Sequence, residues 1–150
     1  MKLYCAIALF AFAVMGEPAV ADQRDNAYAA VERWADAFNS GDVEKVVGVY
    51  TTDALVLGTA SPGLASTPDD LRAYFRQAAA AKFQVKLGDH SAIALSNDAA
   101  VIVGFYDFSR PGADGQMTVI PARFSFVLEK KGDLWQIAHH HSSLKPKPPQ

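Results

Sequence analysis

Residues 134–143 read Leu-Trp-Gln-Ile-Ala-His-His-His-Ser-Ser, an apolar, strand-favouring start that runs into three consecutive histidines and two serines. In an extended chain successive side chains alternate faces, so His139 and His141 project to one side and His140 to the other. An imidazole inside a sheet must have its ring nitrogens satisfied, so three together mark a place where the sheet lines a cavity or carries a polar face. The ordinary alternative for each one singly is a hydrogen bond to a backbone carbonyl. The run is short, continuous with an apolar strand pattern and followed by more chain of ordinary composition, which sets it apart from an expression tag.

The segments before it share its grammar. Residues 83–95, 99–110 and 116–130 are rich in valine, isoleucine and aromatics, and they are separated by Ser96-Asn-Asp98, Pro111-Gly-Ala-Asp-Gly115 and Gly132-Asp133, each a turn signal. Upstream the period changes to that of a helix. Tyr28, Val31, Trp34, Ala35 and Phe38 recur on one helical face, and Asn39-Ser-Gly41 supplies the stop. Asp42 caps a second, short helix whose Val43, Val46, Val47 and Tyr50 share a face. Residues 54–59 form an apolar strand that ends at Ser61-Pro-Gly63. Thr67, Pro68 and Asp70 spell a capping box with proline in the first turn, opening a third helix that carries Leu71, Tyr74, Phe75 and Ala78. Three helices followed by a long-stranded antiparallel meander predict an α+β domain with helices on one face of a strongly curved sheet.

Both ends are set apart from this domain. Met1-Lys2 is positive, residues 3–15 are apolar, and Ala19-Val-Ala21 fits the small-x-small pattern of a cleavage site, so residues 1–21 are expected to be a signal peptide and the domain to work in the periplasm or outside the cell. Cys5, the one cysteine, leaves with the leader, and the mature chain then has neither a disulfide nor a thiol nucleophile. Residues 144–150, rich in proline and lysine, are expected to be a disordered tail after a domain of residues 22–143. A formal net charge of −2 with scattered basic residues argues against a nucleic-acid partner, and no membrane partner is expected once the leader is gone.

The order of elements, with Asn39-Ser-Gly-Asp-Val-Glu-Lys, Leu71-Arg-Ala-Tyr-Phe75, Asn97-Asp-Ala-Ala-Val-Ile and Trp135-Gln-Ile-Ala-His-His-His-Ser-Ser143, resembles the nuclear transport factor 2-like superfamily and its SnoaL-like members. Within that superfamily the chain is similar to the association domain of calcium/calmodulin-dependent protein kinase II and its exported bacterial relatives, over residues 24–143. The resemblance implies a cone of three N-terminal helices packed on a curved, mostly antiparallel sheet, a homodimer or larger ring, and a pocket for a small organic ligand. It implies assembly and binding, not phosphoryl transfer. The kinase-type pocket presents arginines on its inner strands, and Tyr106 and Phe126 stand at two of those places, which puts an acidic ligand held in the same way in doubt. Arg123 is the arginine placed in the sheet to serve instead. The pocket so implied draws on Trp34, Tyr50, Tyr106, Arg123, His139 and His141.

Which residues share a face with the histidines turns on register. If Gly132-Asp133 alone makes the turn, Phe124 and Phe126 lie opposite His141 and His139; if residues 131–133 form a loop with a bulge, Arg123 and Ser125 take their places. Three functions compete. One is a non-catalytic binding or assembly domain. A second is an isomerase, cyclase or dehydratase that moves a proton with Asp107, His139 or His141, with Tyr50 and Tyr106 as further candidates. The third is a metal site on His139 and His141, which would need more ligands from His90, Asp53 or Asp89. The first is preferred, with no cofactor and no metal.

Overall fold

The computed structural model describes residues 18–147. Residues 1–17 of the expected leader and the last three residues of the expected tail lie outside them. Helix α1 spans Pro18–Ser40, and the expected cleavage after Ala21 falls in its first turn. Its buried stripe, Ala27, Val31, Trp34 and Phe38 among others, is the helical period read above. Gly41 ends it with φ 71°, a conformation glycine adopts without strain, and donates its N–H to the Phe38 carbonyl. Helix α2 is Val43–Val47, capped by the Asp42 carboxylate, which accepts the Glu44 and Lys45 amides. It does not reach Tyr50: the Gly48 amide closes the helix on the Glu44 carbonyl, and Tyr50 opens strand β1, Tyr50–Leu57. Helix α3, Pro68–Ala80, carries the capping box in full, with Thr67 accepting from the Asp70 amide and Asp70 from the Thr67 amide.

Strands β2 (Gln84–Ala94), β3 (Ala99–Pro111), β4 (Met117–Lys131) and β5 (Leu134–Leu144) form the antiparallel meander. The sheet order is β1-β5-β4-β3-β2, with β1 parallel to β5 at one edge. At the end of β5, Leu144 pairs with Ala122, and the Lys145 amide reaches the Pro121 carbonyl. The helices cover one face. Asn39 at the end of α1 makes two hydrogen bonds to the Val85 backbone in β2, and the Arg33 guanidinium donates to the Trp135 carbonyl in β5. Trp34 lies at the centre, within 6 Å of the rings of Phe38, Tyr106, Phe126 and His140.

The last hairpin combines features of both registers. Gly132-Asp133 alone makes the turn, with Lys131 opposite Leu134, and pairing stays regular to Leu128 opposite Ile137. There Ala138 is surplus: Val127 faces His139, and the ladder continues one residue out of step. Phe126 therefore lies opposite His140, Ser125 opposite His141 and Arg123 opposite Ser143. The tight turn belongs to one alternative and the division of faces to the other, because a bulge inside the strand does what a longer loop would have done.

A second irregularity separates Leu87 from His90 where β2 meets β3, and Gly104 lies there. A Cβ at Gly104 would stand 2.6 Å from the Asp89 carbonyl oxygen and 2.7 Å from the Phe124 ring. Gly104→Ala is expected to destabilise the domain by about 1–3 kcal/mol, read as a lowered urea midpoint, because backbone on one side and a buried ring on the other leave it no room. An unchanged midpoint would contradict that packing.

Candidate functional site

The bulge at Ala138 turns His140 and Ser142 inward, onto a face otherwise made of Ile137, Phe124, Phe126 and Leu128. Burying an imidazole there is costly unless both nitrogens find partners. Two phenols supply them. The Tyr50 hydroxyl lies 2.9 Å from Nδ1 of His140, and the Tyr106 hydroxyl lies 3.3 Å from Nε2. Tyr106 also donates to Ser142 Oγ at 2.5 Å, and Ser142 Oγ in turn bonds Thr59 Oγ1. The Trp34 indole N–H meets no acceptor at hydrogen-bond geometry, but it lies close enough to the Tyr50 oxygen to oppose part of the effect of burial on that phenol.

Electrostatics keep this cluster neutral. Burial pushes the His140 pKa down to about 3, with His139 and His141 adding a smaller push in the same direction. Burial raises the Tyr50 and Tyr106 phenols above their ordinary range, so neither ionises near neutral pH. Thr59 carries the chain to a pocket of about 430 Å³, walled by Phe38, Tyr74, Phe83, Phe108 and Ile120. Tyr74 lies directly over Gly58, where a Cβ would stand 2.2 Å from its ring, and its phenol oxygen is held by the Ala60 and Thr59 backbone.

The opposite face has another character. Arg123, Ser125, His141 and Ser143 line an open recess of about 500 Å³ with Asp89 and Val103, and Arg123 Nε donates to Ser143 Oγ at 3.0 Å. His139 lies on the same face, opposite Val127 and beside Leu55 of β1. Asp107 also lies here, exposed, opposite Pro121 and Lys86.

The six pocket residues expected from the sequence therefore do not form one pocket. Trp34, Tyr50 and Tyr106 stand inside around His140, while Arg123, His139 and His141 stand outside, because a strand cannot turn neighbouring side chains to the same face. Asp107 is kept from the inner pocket for the same reason. His90, a suggested metal partner, instead stacks on Tyr28 at a centroid distance of 3.6 Å. Among the described residues no group of three or more His, Cys, Asp or Glu side chains is arranged to hold a metal ion. The residues missed were His140, Ser142 and Thr59. For the first two the signal was present in the alternation that set His140 apart from its neighbours; Thr59, in a loop, had none.

The depressed pKa of His140 makes a measurable demand. The unfolded chain takes up a proton near the ordinary value of 6.5 while the folded chain does not until about 3, so stability contributed by the neutral ring is lost as the pH falls between those values. Between about pH 6.5 and 4.5, above the range in which most carboxylates titrate, the loss should be about 2 kcal/mol by urea denaturation. His140→Phe should abolish that part of the profile, and an equally steep profile in the variant would show that the ring is not its source.

Comparison with known proteins accords with this geometry. No curated relative matches the sequence. A protein from Xanthomonas campestris assigned as a calcium/calmodulin dependent protein kinase II association domain superposes with a TM-score of 0.75 at 29% identity, covering 81% of this chain and 86% of that one. The association domain of the same kinase from C. elegans gives 0.70 at 18% identity, over 85% and 99%. A protein from Streptomyces avermitilis assigned as a dehydratase of the NTF2-like family gives 0.76 at 15%, again over 85% and 99%. The last two show a shared fold. The model of the SnoaL-like domain matches residues 28–146, nearly all of the described chain, and the protein belongs to that family.

Proposed function

We propose that this chain is a non-catalytic self-associating domain that pairs with further copies of itself, as a dimer or larger ring, through the outer face of its sheet. The observation that carries this reading is the character of that face. Phe105 is 44% exposed and Val103 41% on β3, Leu55 and Leu57 are exposed on β1 across two intervening strands of the same face, and no helix among the described residues covers them. Apolar side chains grouped on one sheet face favour a partner over water.

The polar residues among them suit a twofold pairing. Arg123 and Lys145 supply positive charge, Lys145 with its ammonium 4.6 Å from the Phe105 ring centroid, while Asp89 and Asp107 supply negative charge on the same surface. A patch holding both signs can complement its own copy when rotated by half a turn. Likeness to association domains supports the same reading. A proton-transfer enzyme would require an acid or base facing the inner pocket. Asp107 stands on the other face, and His140 has both nitrogens engaged. The leader-like pattern of residues 1–21 supports the further reading that the domain works after export.

Light scattering at micromolar concentration is expected to give a mass of two chains or more. Replacing Val103 and Phe105 together by glutamate should weaken association at least ~10-fold, since apolar residues at the centre of an interface carry most of its energy. A monomer at every concentration would overturn the proposal. Export is tested separately: the intact mass of protein recovered outside the cytoplasm should correspond to a chain that begins at Asp22, and a full-length cytoplasmic chain would refute it.

A further inference from the structure

The outer face holds two histidines whose ring nitrogens are unused among the described residues. Of the four histidines, His140 is held by two phenols and His90 is stacked on Tyr28. His139 and His141 make no hydrogen bond or ion pair with any described residue. Beyond the bulge β5 is regular, with Val127 opposite His139 and Ser125 opposite His141, so the two rings project side by side from one face. Alternate residues of a strand stand about 6.6 Å apart. Two imidazoles bound to one ion at about 2.1 Å need their nitrogens only about 3.4 Å apart, which leaning the rings toward each other supplies.

Their place on the face decides how many rings one ion can gather. Val103, Ser125, His141 and Leu57 form one row across β3, β4, β5 and β1, and Val101, Val127, His139 and Leu55 form the next. Exposed apolar Val103 and Leu57 flank the first row, so His141 lies near the middle of the patch proposed to pair with a second copy. In a twofold pairing, residues at the middle meet their own counterparts across the axis. The two histidines then face the same two of the partner. Covering them takes water from four imidazoles, and Leu55, Leu57 and Val127 beside them have no donor or acceptor to give in exchange. A divalent ion resolves this by taking one lone pair from each ring. Arg123, the arginine of this face, is held off: its Nε donates to Ser143 Oγ, one row beyond His141 on the side away from His139. Asp89, in the same recess as His141, offsets its charge.

We propose that His139 and His141, with the same pair of the partner, form a four-imidazole site for a divalent transition ion, copper(II) or zinc, at the twofold axis of the assembly. The proposal rests on pairing through the outer face and adds that an ion fastens it. Neutral nitrogen donors select against calcium and magnesium, which take oxygen, and the general order of affinities puts copper(II) above zinc.

Calorimetry and light scattering on metal-free protein, titrated with Zn²⁺ alone and separately with Cu²⁺ alone, test this. One ion is expected to bind per two chains, Cu²⁺ more tightly than Zn²⁺, and Mg²⁺ should have no effect. An ion held only by the paired chains should, at about 100 times its dissociation constant, tighten association about 100-fold. The Cu²⁺ complex should show the splitting of four nitrogens in its electron paramagnetic resonance spectrum. His139→Ala and His141→Ala should each lose the tightening, and His90→Gln should keep it. One ion per chain with the splitting of two nitrogens, or an association constant that neither ion changes, would overturn the site while leaving the assembly standing. A chain that stays monomeric with and without the ions would overturn both. Stoichiometry and nitrogen count on the unaltered protein decide the matter even if a variant fails to fold.

Discussion

A neutral imidazole enclosed by hydrocarbon has no water to turn to, so its two nitrogens determine what must surround it. His140 takes Tyr50 from the first strand and Tyr106 from the third, and those two phenols bring the edge and the middle of the sheet to one point beneath Trp34. An unsatisfied buried polar group costs about 1–3 kcal/mol, so the three positions stand or fall together. Their neutrality matters as much as their bonds. A charged ring at this place would be expelled or would demand a carboxylate, and the inner face offers none.

The same strand serves the opposite purpose on its other side. His139 and His141 share a surface with Arg123 and exposed apolar residues, and packing of the core makes no demand on what stands there. One stretch of sequence thus contributes to two regions separated by the thickness of a sheet, and each can change while the other is kept.

Much of this could be read directly from residues. The capping box at Thr67 and Asp70, the stop at Gly41 and the turn at Gly132-Asp133 are local signals with local causes, and each lies where its chemistry demands. What escaped reading was non-local. Tyr50 continues the apolar period of α2 and so looks helical, yet pairing with Ile137, far along the chain, claims it for β1. The bulge at Ala138 leaves no mark in composition, since alanine suits a regular strand equally well, and it decides which histidine goes inside. Regular alternation carries His139 and His141 on from Trp135 and Ile137 to the inner face, so grouping them with Trp34 and the tyrosines agreed with the local pattern, and it is the bulge that turns them out.

The polar chain joins residues far apart in sequence, with separations of 90 between Tyr50 and His140 and 83 between Thr59 and Ser142. Both of its long links close on the final strand, which pairs in parallel with the first. During synthesis the helices and the β2–β4 meander are complete before that strand leaves the ribosome, and until it does Tyr50 and Tyr106 have no imidazole between them and Thr59 has no serine behind it. His140 and Ser142 therefore arrive at a face whose other members precede them, and a chain without β5 would leave both phenols lacking the imidazole that joins them and β1 lacking its partner strand.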